Sequence, residues 1–222
     1  MRPALLVSDF AGTAMKEDGG VLTAYRLALS ANDIPFSEAD LAARRGANKR
    51  AVFRELAARS RPEPEANAVA EQALSRFEAV LREEYSTGDV REVDGAEAAF
   101  RQLKAAGVKL ALTSGFDRGL VDLLVRRLKW EALFDLVLSG SDAPAGRPAP
   151  FFIYRTMMDL GVYDARQVAV VGDTPLDLQA GMNARAGWVI GVLSGAHGVE
   201  TLGATEHTHL LASVAALPGL ML

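Results

Sequence analysis

Six polar residues are candidates for chemistry: Asp9, Ser114 and Asp173 at the ends of apolar runs, with Lys49, Arg147 and Asp177. Asp9 closes the apolar run Ala4-Leu5-Leu6-Val7-Ser8 and opens Phe10-Ala11-Gly12-Thr13. A carboxylate there is either a turn residue or a covalent nucleophile. Gly12 and Thr13 favour the second, since glycine lets backbone N–H groups approach a phosphate and the threonine hydroxyl can orient the carboxylate. Ser114 and Gly115 follow Lys109-Leu110-Ala111-Leu112-Thr113, and a serine hydroxyl and a free N–H at the start of the next helix suit a phosphoryl oxygen. Arg147 lies among Pro144, Pro148 and Pro150, and its fork of donors can clamp carboxylate and phosphoryl oxygens together. Asp173 and Asp177 follow Val168-Ala169-Val170-Val171-Gly172; Asp177 can also cap the helix behind it. Lys49, in Gly46-Ala47-Asn48-Lys49, is either a solvated helix charge or an amine nucleophile, and the second requires that it be neutral.

These residues need strands to deliver them. Runs rich in Val, Leu and Ile recur at Leu5–Val7, Val108–Leu112, Phe134–Leu138, Val168–Val171 and Trp188–Leu193. Helical patterns at Ala96–Ala106, Arg118–Lys129, Phe151–Leu160 and Asp177–Ala184 separate the later ones. The alternation predicts βαβ units in a doubly wound, Rossmann-like parallel sheet, an α/β fold whose strand ends converge on a ligand crevice. Asp9, Ser114 and Asp173 each sit at such an end. Between the first two strands the pattern is almost wholly helical, at Leu22–Asn32, Glu38–Arg45, Lys49–Arg59 and Glu63–Glu84, punctuated by Pro35, Pro62 and Pro64.

The composition sets bounds. The 222 residues are half hydrophobic, enough for a sizeable core. With 24 basic and 28 acidic residues the net charge is −4, which gives no electrostatic case for nucleic acid or an anionic membrane. The absence of cysteine excludes disulfides, thiolate metal sites and cysteine nucleophiles. The first apolar run is shorter than a signal-peptide core, and no stretch approaches the ~20 apolar residues of a membrane span, so a cytoplasmic protein is expected.

Taken together, the motifs resemble those of the haloacid dehalogenase superfamily. Its nucleophile loop reads Asp-x-Asp-Gly-Thr, and Ala11 stands here in place of the second aspartate, normally the general acid of phosphomonoester hydrolysis. An Asp-x-Ala-Gly-Thr loop, an arginine rather than a lysine at position 147 and the Gly-x-x-Lys spacing of Gly46 to Lys49 are similar to the superfamily's phosphonatase branch. The resemblance implies a core of residues 1–16 and 87–222 and a helical cap of residues 17–86. It implies Asp9, Lys49 and Arg147 as catalytic residues, with Ala11, Gly12, Thr13, Ser114 and Gly115 around the phosphoryl group. It implies Mg²⁺ held by Asp9, the Ala11 carbonyl, Asp173 and Asp177.

A small phosphonate, phosphonoacetaldehyde or a related 2-oxoalkylphosphonate, would then be cleaved at its carbon–phosphorus bond through a Schiff base on Lys49 and an aspartyl phosphate on Asp9. Arg50, and Arg45 if the chain is helical across Gly46, are candidates for lowering the pKa of Lys49. The chain departs from the branch at Val52 and Phe116, where histidine and tyrosine are usual, and His197, His207 and His209 are expected to be surface or structural. A homodimer through a cap helix is a further family expectation, without a heptad pattern to carry it. Two other functions remain open on the residues alone: a phosphomonoester phosphatase or phosphomutase, with Lys49 binding phosphate, and a non-catalytic phosphate-ligand sensor.

Overall fold

The computed structural model describes residues 2–222. Six strands form one sheet in the order β3-β2-β1-β4-β5-β6, with every neighbouring pair parallel. They are β1 (Leu5–Asp9), β2 (Lys109–Thr113), β3 (Leu136–Leu138), β4 (Val168–Gly172), β5 (Trp188–Val192) and β6 (His209–Leu211). The central pair, β1 and β4, is buried throughout, which is why these strands read as unbroken apolar runs. The strand order reverses between β1 and β4, and at such a switch point the two loops diverge and leave a crevice at the carboxyl ends. Asp9 ends β1 and Asp173 follows β4, so both carboxylates face that crevice.

Helices α1 (Gly20–Ala31), α2 (Glu38–Ala43), α3 (Lys49–Ala58) and α4 (Glu65–Thr87) stand between β1 and β2, before α5 (Ala96–Ala105) returns the chain to the sheet. Their starts follow local chemistry: Ser37 and Asp40 form a reciprocal cap on α2, and Asn48 Oδ1 accepts the Ala51 N–H at the head of α3. Tyr25, Phe53 and Phe77, one from each of α1, α3 and α4, hold the helices together with ring centroids 4.7–5.6 Å apart. The two crossings between these helices and the sheet run side by side, Val93 N–H donating to Ala14 O and Lys16 N–H to Arg91 O.

The remaining helices are α6 (Arg118–Arg127), α7 (Phe151–Asp159), α8 (Pro175–Asn183), α9 (Val199–Gly203) and α10 (Leu217–Met221). Under one face of the sheet Phe10, Phe100, Trp130 and Phe134 pack as an aromatic cluster. Among the described residues no helix is long and apolar enough to cross a membrane. The third strand is shorter than its sequence run, because Phe134 is drawn into this cluster and Asp135 turns back to accept the Leu110 N–H. The edge strand β6 has no counterpart among the sequence-predicted runs.

Candidate active site

The carboxyl ends of β1, β2 and β4, the loop carrying Arg147 and the turn before α3 enclose a cavity of about 430 Å³. Asp9, Ala11, Gly12, Lys49, Ser114, Gly115, Arg147 and Asp173 all line it. The tight turn after β1 depends on Gly12, whose φ is +92° and where a Cβ would lie 2.4 Å from an Asp173 carboxylate oxygen. Thr13 is fully buried, and its hydroxyl donates to Asp173 Oδ1 at 2.9 Å instead of meeting Asp9 as expected.

One buried arginine gathers the charges. Arg147 Nη1 lies 2.7 Å from Asp9 Oδ1 and its Nη2 donates to Thr113 Oγ1 at 2.6 Å. Its Nε is 2.8 Å from Asp177 Oδ1 but poorly aligned for a hydrogen bond, so this contact is an ion pair. The other Asp177 oxygen accepts from the Thr174 hydroxyl and N–H, which makes Asp177 both a helix cap and a partner of Arg147. Asp173 is held by Thr13 and by the Ala196 N–H at 2.7 Å. The Ser194–Ala196 loop after β5 is a wall the sequence did not announce, since it contributes a backbone N–H and no diagnostic side chain.

Oxygens of Asp9, Asp173 and Asp177 lie within 4.8 Å of one another. Burial, opposed by Arg147 but reinforced by Asp177 and Asp173, raises the Asp9 carboxyl to about 8. Burial and the Asp177 charge likewise raise Asp173 to about 6. One guanidinium therefore does not compensate the three acids. A hard divalent cation with oxygen ligands fits this set, and Mg²⁺, which needs few protein ligands, fits it well.

Lys49 approaches from the other side. It is the first residue of α3, is only 7 % exposed, and lies with Nζ 5.6 Å from the Tyr25 ring centroid and 5.8 Å from that of Phe116. Its hydrogen-bond acceptor is the Ala47 carbonyl at 3.2 Å. Burial lowers its pKa to about 8; Arg147 adds to the shift while Asp9 opposes it. A cation at a helix N-terminus is disfavoured in the same direction. Of the cations anticipated for this task, Arg50 ion-pairs with Glu71 on the exposed side of the helices, while Arg45 lines the cavity but is parted from α3 by the turn at Gly46 (φ +78°), where the chain does not continue as helix.

That turn is seated on the sheet. A Cβ on Gly46 would lie 2.7 Å from Thr174 Oγ1, one on Gly115 would lie 3.2 Å from Ala47 O, and one on Gly146 would lie 2.7 Å from Asn48 Cβ. Three loops of the sheet thus touch three successive residues before Lys49. Of the histidines, His197 is half-buried with Nδ1 3.3 Å from Asp173 O, and burial, aided by the Arg45 charge, lowers its pKa; His207 and His209 contact Thr205 and Thr208 away from the cavity.

The profile of the haloacid dehalogenase-like hydrolases matches residues 3–185. A phosphonoacetaldehyde hydrolase of Bacillus cereus is 34 % identical over 115 residues, a stretch that covers 51 % of this chain and 42 % of the relative. Among solved structures, a phosphonoacetaldehyde hydrolase-like protein from Oleispira antarctica superposes with TM-score 0.81 at 16 % identity, covering 100 % of this chain and 92 % of that one. A predicted phosphoglycolate phosphatase from Haemophilus somnus superposes with TM-score 0.80 at 18 % identity, covering 100 % and 99 %. At these identities the structures share the fold, and the fold serves more than one reaction.

Proposed function

The chain belongs to the haloacid dehalogenase-like hydrolases, and from that membership we propose that it cleaves the carbon–phosphorus bond of phosphonoacetaldehyde or a closely related 2-oxoalkylphosphonate. The observation that carries the reading is a single cavity holding a buried, readily neutral lysine and a nucleophilic carboxylate, with alanine at the position of the usual acid. The similarity to the Bacillus hydrolase, over part of its length, supports it.

The two departures explain each other. A phosphate ester expels an alkoxide, which needs a proton; a phosphonate expels carbon, which needs an electron sink. Neutral Lys49 adds to the aldehyde carbon, and loss of water leaves a protonated imine two carbons from phosphorus. The Asp9 carboxylate attacks phosphorus, and the electrons of the breaking carbon–phosphorus bond enter the imine to give an enamine. No acid is required at a leaving oxygen in the carbon–phosphorus cleavage step, so Ala11 is compatible with that step. One water then cleaves the aspartyl phosphate; the enamine takes a proton on carbon, and a second water releases acetaldehyde and Lys49.

The remaining residues hold charge in place. Arg147 fixes the Asp9 carboxylate at 2.7 Å and can face the phosphoryl oxygens with its other donors. Ser114 and the Gly115 N–H line the cavity at the start of α6 as phosphoryl donors. Asp9, the Ala11 carbonyl and Asp173, with Asp177 behind them, would hold Mg²⁺, which when bound supplies positive charge against the transferring phosphoryl group.

The test is phosphate release from phosphonoacetaldehyde with Mg²⁺, for wild type and Lys49→Ala, beside a simple phosphate ester. Phosphonate turnover falling at least ~10³-fold in Lys49→Ala, with borohydride trapping of substrate on wild type alone, is the expected result. Turnover of the ester alone, indifferent to Lys49, overturns the proposal and leaves an atypical phosphatase.

A further inference from the structure

Four basic side chains line the cavity: Lys16, Arg45, Lys49 and Arg147. Three have a defined partner. Lys16 pairs with Asp94 at 2.7 Å, Lys49 donates to the Ala47 carbonyl, and Arg147 is shared between Asp9 and Asp177. The acids at the same wall are likewise engaged, Asp18 with Arg91 and Glu17 with the N–H groups of Gly19 and Val21. Arg45 is half-buried as a residue and, among the described residues, its guanidinium has neither an ion pair nor a hydrogen bond. A guanidinium with five unused donors at a cavity wall is a ready site for a planar carboxylate, which it can meet through two parallel hydrogen bonds.

The volume points the same way. At about 430 Å³ the cavity is in the range that accepts ligands well above two carbons and a phosphonate. A two-carbon phosphonate displaces only a few waters, at about 30 Å³ each. The phosphoryl end of the cavity is set by Asp9, Arg147, Ser114 and Asp173, and Lys49 fixes the carbonyl. Arg45 lies four residues before Lys49 and lines the wall where its charge also acts on His197, so a further anionic group of a substrate that reaches this wall would meet it.

We infer that Arg45 is a specificity-determining residue that binds a carboxylate of the substrate, and that the preferred substrate class is a carboxylated 2-oxoalkylphosphonate. This rests on the proposed phosphonate hydrolysis for its substrate, but the subsite itself can be read by binding alone. The probes are 3-phosphonopropionate, which carries a carboxylate and no carbonyl, and propylphosphonate, which lacks the carboxylate. Both are titrated by calorimetry into the Mg²⁺-loaded protein, as wild type and as Arg45→Met, which keeps an unbranched stem and removes the charge.

Wild type is expected to bind the carboxylated probe at least tenfold more tightly, and Arg45→Met to bind the two within about twofold of each other. Equal affinities in wild type, no binding of either probe, or a preference that survives Arg45→Met overturns the inference. Turnover of phosphonopyruvate against phosphonoacetaldehyde forms the second arm, with a higher kcat/KM for phosphonopyruvate expected in wild type. If neither is hydrolysed while the Arg45-dependent binding preference stands, the hydrolytic reading falls and the carboxylate subsite remains.

Discussion

At the scale of residues, the proposed reaction depends on one proton. Lys49 must lose it to attack a carbonyl, and its pKa of about 8 leaves about 10 % of the amine neutral at pH 7, against less than about 0.1 % for an ordinary lysine near 10.4. The neutral form lies on the alkaline side, so imine formation gains with rising pH. With saturating Mg²⁺, the borohydride-trapping rate should rise about tenfold per pH unit below 8 and level off above it. A flat profile from pH 6 to 9 would disconnect the trapped amine from Lys49. The meeting of these residues was legible in the chain: Asp9, Lys49 and Arg147, singled out by their spacings, line one cavity with Ala11. The environment of Lys49 was not. Tyr25 and Phe116 are remote from it in sequence, and only the fold brings their rings over Nζ. Thr13 shows the same limit, since nothing in Ala11-Gly12-Thr13 says that its hydroxyl crosses to Asp173.

At the scale of elements, strand and helix order followed from apolar runs and caps, while short pieces did not. The three residues of β6 pair only with β5 and carry little pattern of their own. Contacts between loops were invisible because each sets a bare glycine against an atom remote in sequence, as where the Gly46–Asn48 turn meets the loops after β2 and β4 and the one before Arg147. That seating can be tested at Gly46. Alanine there would hold a strained positive φ and press on Thr174 Oγ1, at a cost of about 1–3 kcal/mol. Gly46→Ala is expected to lower the thermal midpoint by a few degrees and to move the acid limb of the Lys49 profile upward in pH, as the lysine regains water. A destabilised variant with an unmoved limb would separate the turn from the lysine.

At the scale of the whole molecule, the acidic cluster links cation binding to stability. Asp9 at about 8 and Asp173 at about 6 hold protons that the unfolded chain would have released near pH 4. In the cation-free protein these raised values give stability that is present at low pH and lost as pH rises through about 6 and then 8. A divalent cation competes with those protons, so its affinity grows over the same window. The rise in thermal midpoint caused by millimolar Mg²⁺ should accordingly be several degrees larger at pH 8 than at pH 6, and vanish with a chelator. Equal shifts at both pH values would mean that the ion binds elsewhere. The seated turn before Lys49 has a consequence on this scale if the proposed chemistry holds: it would serve as an interlock. Should the helical insert lift from the sheet, water would reach Nζ and the amine would recover its proton. Under the proposed chemistry, a lysine neutral only where it is enclosed would spare other aldehydes, because none would meet the amine until it was already shut in with the carboxylate.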